Sequence, residues 1–123
     1  ELNIPFGLGS QAAPRLAEAE LGYTEGVTER ERLRRELDTE IKLAATGHRA
    51  ARAALATAER QQALAAETLA LLQRGFELGE IDLASLLRER TKAQEAALNL
   101  EVRRIELGQA GSRLNQALGV VPQ

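Results

Sequence analysis

A proline-free stretch from Arg15 to Arg74 constrains this sequence more than any other feature. Within it only Gly22, Gly26 and Gly47 weaken helix formation, and each glycine costs about 1 kcal/mol relative to alanine. A helix of roughly 60 residues, rising about 1.5 Å per residue, would be about 90 Å long. Helices of ordinary globular domains are far shorter. The stretch therefore predicts one very long helix, from about residue 15 to about residue 74.

An apolar stripe indicates how this helix packs. Its members follow one another at alternating steps of three and four: Ile41, Ala44, His48, Ala51, Leu55, Ala58, Gln62, Ala65, Leu69, Leu72 and Phe76. A mean step of about 3.5 residues is typical of a supercoiled seam between helices. A second stripe comprises Ala50, Ala54, Leu64 and Leu71. Two apolar stripes on one helix predict two neighbouring helices.

The segment 75–82 is predicted to reverse the chain. Gly79 can adopt the left-handed conformation that ends a helix, and Asp82 is a favourable N-cap for the next one. The following stretch, about 83–118, again lacks proline, and Gly119 is placed to end it. A tip of a few residues makes the two helices antiparallel neighbours. The second helix also carries a side stripe of Leu98, Val102 and Ile105.

The second helix is too short to accompany all of the first. It would cover only the part nearest the tip, so residues 15 to 42 would need a partner from other segments or other subunits.

In residues 1–9, the apolar residues Leu2, Ile4 and Phe6 alternate with other residues. A spacing of two between apolar residues predicts a strand. The expected organisation is a β-strand end at residues 1–9 and an α-helical hairpin at residues 10–123.

Composition excludes several classes of function. The formal net charge is −2 with mixed signs throughout, so no basic stripe suggests nucleic-acid binding. The sequence has no cysteine, and its one histidine, His48, has no companions suited to a metal site. Glu18, Glu20 and Glu25 are better explained as solvated helix surface than as catalytic carboxylates. We expect no enzyme activity, no cofactor and no metal site.

The tip and its flanks resemble a known family. The segment from Leu71 to Leu87 is similar to the hairpin tip of TolC-like outer membrane efflux proteins, with an aromatic residue (Phe76), a glycine (Gly79) and a small polar cap (Asp82). Two downstream stretches, 92–98 and 114–119, resemble the family's returning helix. The segment 2–6 looks like the end of a membrane β-strand.

The resemblance implies an all-α fold at this part of the chain: a long antiparallel hairpin, or coiled coil, within a trimeric α-barrel in the periplasm. A β-barrel in the outer membrane of a Gram-negative bacterium would stand above it and contact lipid. The channel would export small molecules or metal ions together with a periplasmic adaptor protein and an inner-membrane pump. The residues expected to dock the adaptor are Arg74, Phe76, Leu78, Gly79, Glu80 and Asp82.

Two other functions fit parts of the pattern. The hairpin of a periplasmic adaptor (membrane fusion) protein is also a long antiparallel coiled coil, although the spacing from Phe76 to Gly79 argues against it. A structural coiled-coil interaction module is the other alternative, and it would not need the strand predicted at residues 1–9.

Overall fold

The computed structural model describes residues 3–119, and side chains from residue 17 to residue 119. Helix α1 spans Asn3–Glu77 and helix α2 spans Leu83–Ala117, with residues 78–82 between them. Residues 3–119 contain no strand. The predicted all-helical hairpin is therefore confirmed for the described chain.

The strand end predicted for residues 1–9 is not supported. Asn3–Gly9 belong to α1, and Glu1 and Leu2 lie outside the described residues. A lone strand leaves its backbone N–H and C=O groups without partners, whereas a helix pairs them internally. Pro5 falls in the first turn of α1, where backbone N–H groups have no acceptor within the helix. The helix therefore begins at Asn3 and not near residue 15 as predicted, so that Pro14 lies inside it.

The chain divides into two units, Glu1–Glu40 and Ile41–Gln123. In the first unit every described side chain, from residue 17 to residue 40, is exposed. The exposed residues include large apolar ones: Leu21, Tyr23, Val27, Leu33 and Leu37. The sequence predicted that this part of α1 would have no partner within the chain, and the exposure agrees. What covers it in the assembled protein stays a prediction.

The second unit contains the predicted seam. Of the eleven α1 positions in the first stripe, all except Phe76 are partly or fully buried. The matching positions on α2 also alternate steps of three and four: Leu86, Glu89, Ala93, Ala96, Leu100, Arg103, Leu107, Ala110, Leu114 and Ala117. The two helices thus share one seam with a spacing of about 3.5 residues, as in a coiled coil.

Three contacts fix the antiparallel register of the seam. A Cβ atom added to Gly111 would lie 4.0 Å from Cδ2 of His48. Residues 53–61 of α1 line one cleft together with Asn99 and Arg103 of α2. Next to the tip, Gly75 lies against Ile81. Followed along α2, this register brings the end of the helix level with Ile41, where the second unit begins.

The core of the seam is narrow. Among the described residues the buried apolar side chains are Ala58, Leu100 and Ala110, which are 2%, 7% and 7% exposed. Alanine lets two helix backbones approach closely, but it contributes little apolar area. At about 25 cal/mol per Å² of buried apolar surface, such a seam supplies only modest stability. A hairpin of this kind gains stability when further helices cover its remaining apolar surface.

Candidate functional site: the hairpin tip and the outer edges

Three backbone hydrogen bonds close the last turn of α1. The N–H of Glu80 donates to the carbonyl of Gly75 at 2.8 Å, and the N–H of Gly79 donates to the carbonyl of Phe76 at 3.0 Å. The N–H of Leu78 donates to the carbonyl of Arg74 at 3.0 Å. Gly79 has a φ of 74°, the left-handed region that residues with a Cβ rarely adopt. This prediction for Gly79 is confirmed, and the turn is a Schellman-type helix end.

Gly75 makes a close contact with Ile81 that the sequence pattern does not predict. A Cβ atom at Gly75 would lie 2.5 Å from Cδ1 of Ile81 and 2.9 Å from its Cγ1. The isoleucine therefore folds back over the last turn of α1, and a larger residue at position 75 would force the Ile81 side chain to shift. A glycine at the first position of the predicted tip, with an isoleucine before the next N-cap, was the available sequence signal.

Asp82 is the N-cap residue of α2, as predicted, but it uses its carboxylate differently. Its backbone is extended (φ −77°, ψ 157°), and the side chain makes no capping hydrogen bond to the first turn. Instead Oδ1 accepts a hydrogen bond from the hydroxyl of Ser85. That hydrogen bond is the largest cause of the lowered pKa of Asp82. The hydroxyl of Ser85 in turn accepts a hydrogen bond from Arg88 at 3.1 Å.

The predicted docking residues form a compact exposed group at the tip. Arg74, Phe76, Leu78, Glu80 and Asp82 are all exposed, as is Gly79. Leu78 is 73% exposed and Phe76 is 39% exposed. Two apolar side chains beside a cation and two carboxylates form a surface that a partner protein can contact. Contact with an adaptor stays a prediction.

A second apolar surface lies along α1, away from the seam. We call it the α1 edge and define it by Leu43, Leu64 and Leu71, which are 69%, 64% and 63% exposed. Six residues separate Ala58 of the seam from Leu64, so their side chains point about 120° apart. Ala50 of the predicted second stripe is also exposed, whereas Ala54 is partly buried and lines the cleft.

Helix α2 has a corresponding surface, the α2 edge, defined by Leu98, Val102 and Ile105. These side chains are 68%, 48% and 61% exposed. Leu98 and the buried Leu100 are two residues apart, which directs them about 160° away from each other on the helix. Each helix of the second unit thus has one apolar surface in the seam and another that no described residue covers.

The cleft along the seam is small and open. It has a volume of about 390 Å³, and three alanines and four polar residues line it: Ala53, Ala54, Ala58, Thr57, Gln61, Asn99 and Arg103. The described residues include no group of three or more histidine, cysteine or acidic side chains that could hold a metal ion. His48 is partly buried in the seam near Gly111. No acidic, histidine or cysteine side chain is among the residues that line the cleft.

Ion pairs in the described chain join residues of the same helix, three positions apart. The pairs are Arg32–Glu29, Lys92–Glu89, Arg103–Glu106 and Arg104–Glu101. Pairs of this kind contribute only tenths of a kcal/mol, about 0.2–0.5. They support helix formation but do not fix the register between α1 and α2.

No helix among the described residues is long and apolar enough to cross a membrane. Comparison with known proteins adds no relative: no family model matches the chain, and no curated protein or solved structure matches it either.

Proposed function

We propose that this chain is a channel-forming segment of a TolC-like outer membrane efflux protein. In this proposal the hairpin is part of the wall of a periplasmic conduit that exports small molecules or metal ions. The full protein would be a homotrimer, working with a periplasmic adaptor and an inner-membrane pump. The chain itself would perform no chemistry.

The observation that carries the proposal is the pair of exposed edges. A hairpin that stands alone needs only the seam between its two helices. Here Leu64 on α1 and Leu98 on α2 are 64% and 68% exposed, although apolar residues recur along each edge. Such patches mark surfaces that are covered in an assembly. Helices with neighbours on two sides are what the wall of a closed helical tube requires.

The tip supports the second part of the proposal, docking to an adaptor. Leu78 and Phe76 supply exposed apolar area, while Arg74 and Glu80 supply opposite charges beside it. The hydrogen bonds from Glu80 and Gly79 to the last turn of α1 hold these side chains on a fixed turn. A preorganised turn loses little entropy when a partner binds.

A structural coiled-coil module is the second candidate, because one observation favours it. Residues 3–9 are helical, whereas the outer membrane assignment expected the end of a strand there. The hairpin of an adaptor protein is a further alternative with the same helical architecture. Both alternatives predict that the tip is not part of an export channel.

Substituting Gly79 in the full-length protein tests the proposal. Gly79→Val forces a β-branched side chain into the left-handed region and should distort the tip. We expect export of a fluorescent efflux substrate from Gram-negative cells to fall strongly, while trimer assembly is retained. Gly108→Val is the matched control, because Gly108 is helical and has open space around its Cα. Equal loss of export and assembly, or unchanged export, would contradict a docking role for the tip.

A further inference from the structure

The spacing of the seam positions continues into the first unit of the chain. From Ile41 towards the start of α1, the alternating steps of three and four pass through Leu37, Arg34, Arg30, Val27, Tyr23 and Glu20. We call these six residues the free face, because all six are exposed and Tyr23 is 76% exposed. Further along α1 the same spacing packs against a helix, so the free face is also suited to a helix.

Two charged residues of the free face, Glu20 and Arg30, have no oppositely charged neighbour on their own helix surface. The residues three and four positions from Glu20 include no lysine or arginine, and those three and four positions from Arg30 include no acidic residue. Neither residue takes part in the four ion pairs found among the described residues, in which Arg32 pairs with Glu29. A helix that covers this face is therefore favoured if it places a cation opposite Glu20 and a carboxylate opposite Arg30.

A second copy of α1 meets this requirement when it runs antiparallel. If Tyr23 faces Val27 of the second copy, then Glu20 faces Arg30 of that copy, and Arg30 faces its Glu20. Registers that keep seam positions opposite each other differ by seven residues. A shift of seven in one direction places Arg30 opposite Val27, and a shift in the other direction places Glu20 opposite Tyr23. A parallel copy in register places each charge opposite its own kind, which is unfavourable.

Glu25 lies at the midpoint of the antiparallel register, level with Glu25 of the second copy. It is two residues from both Tyr23 and Val27, so its side chain points about 160° away from each of them. The two Glu25 carboxylates therefore lie on the outer sides of the helix pair and do not repel each other across the contact.

From this register we propose that two copies of the chain associate antiparallel through residues 17–33 of α1, about a two-fold axis at the level of Glu25. Tyr23 packs against Val27 of the second copy, and Glu20 pairs with Arg30 of that copy. The two-fold symmetry repeats both contacts, so the same surface is buried on each copy. The contact uses neither the tip nor the two edges, and it goes beyond the proposed function without depending on it.

Cysteine cross-linking of the full chain tests the register, because the sequence contains no native cysteine. Tyr23→Cys and Val27→Cys chains are purified separately, mixed and oxidised mildly, and the products are identified by mass. We expect a disulfide between the two different chains. Tyr23→Cys mixed with Leu37→Cys is the matched control and should give little, since Leu37 lies about 15 Å along α1 from Val27. No mixed disulfide, or a dimer of Tyr23→Cys alone formed as readily as the mixed one, would overturn the proposal.

Charge reversal in the full chain supplies an independent measurement. Glu20→Arg and Arg30→Glu, tested singly by analytical ultracentrifugation, should each raise the dimer Kd by about tenfold, because each dimer loses two ion pairs. The double variant should recover most of the loss. Glu25→Arg is the matched control and should associate as the parent chain does, since position 25 points away from the contact. A parent chain that stays monomeric, or single variants that dimerise as well as Glu25→Arg, would show that something other than a second copy covers the free face.

Discussion

Truncating two leucines of α2 that lie two residues apart should change the free energy of unfolding by very different amounts. Leu100 is 7% exposed and packs in the seam, whereas Leu98 is 68% exposed on the α2 edge. Fully burying a leucine contributes about 1.5–3 kcal/mol, and the cavity left by truncation adds to that loss. The seam can partly collapse beside the open cleft, so Leu100→Ala should lower the free energy of unfolding by about 2–3 kcal/mol.

Leu98→Ala is the matched control, because it removes the same atoms from the same helix. In a dilute, monomeric sample it should change the free energy of unfolding by no more than about 0.5 kcal/mol. Urea unfolding followed by circular dichroism at 222 nm measures both values. Because the two variants share one helix propensity, their difference reports burial alone. Equal destabilisation by the two variants would refute the assignment of the seam.

Two further predictions concern the tip. Alanine in place of a helical glycine ordinarily stabilises a helix by about 1 kcal/mol. Gly75→Ala should lose most of that gain, because the new methyl group overlaps Cδ1 and Cγ1 of Ile81, and the gain should return in an Ile81→Ala background. An equal effect in both backgrounds in urea unfolding would contradict the contact. Ser85→Ala should raise the pKa of Asp82 toward its ordinary value, because the hydroxyl hydrogen bond that lowers it is lost. A carboxyl group whose pKa is lower in the folded state than in the unfolded state stabilises the fold at pH values above its unfolded-state pKa. That stabilisation is lost as the pH falls through the folded-state pKa. The Ser85→Ala variant should therefore lose less stability on acidification than the parent chain. Carbon-detected NMR titration measures this pKa, and an unchanged value would contradict the assigned cause.

The seam could be predicted from the sequence because its signal is periodic. Steps of three and four between Ile41 and Leu72 identified the buried face of α1 before any contact was known. On α2 the same spacing passes through two charged residues, Glu89 and Arg103, whose side chains are 16% and 39% exposed. Apolar residue type alone would not find this face, because Ala96 is partly buried and the neighbouring Ala97 is exposed.

The tip was predictable in outline but not in detail. Gly79 was identifiable because a helix end of this type requires a positive φ. The contact between Gly75 and Ile81 depends on how the chain returns after the turn, which local preference does not specify. The bond from Ser85 to Asp82 also replaced the expected capping bond, because a nearby hydroxyl competed with the backbone N–H groups.

In residues 1–9 the alternation of apolar residues predicted a strand that the structure does not support. Leu2, Ile4 and Phe6 alternate, but alternation specifies a strand only where a neighbouring strand can pair with its backbone. In the described chain Asn3–Gly9 continue into α1 instead. The assignment to an outer membrane protein rested partly on that strand, so it now depends on the tip pattern and the two edges.

An intramolecular disulfide tests the antiparallel hairpin most directly. Ala51 and Leu107 both lie in the seam, one helical turn from the contact between His48 and Gly111. A chain with Ala51→Cys and Leu107→Cys should form a disulfide within the monomer, because the register places the two positions opposite each other and a disulfide needs Cα atoms about 4.4–6.8 Å apart. Pairing Ala51→Cys with Leu100→Cys, about 10 Å away along α2, should give none. Closure of the second pair in preference to the first would contradict the hairpin and its register.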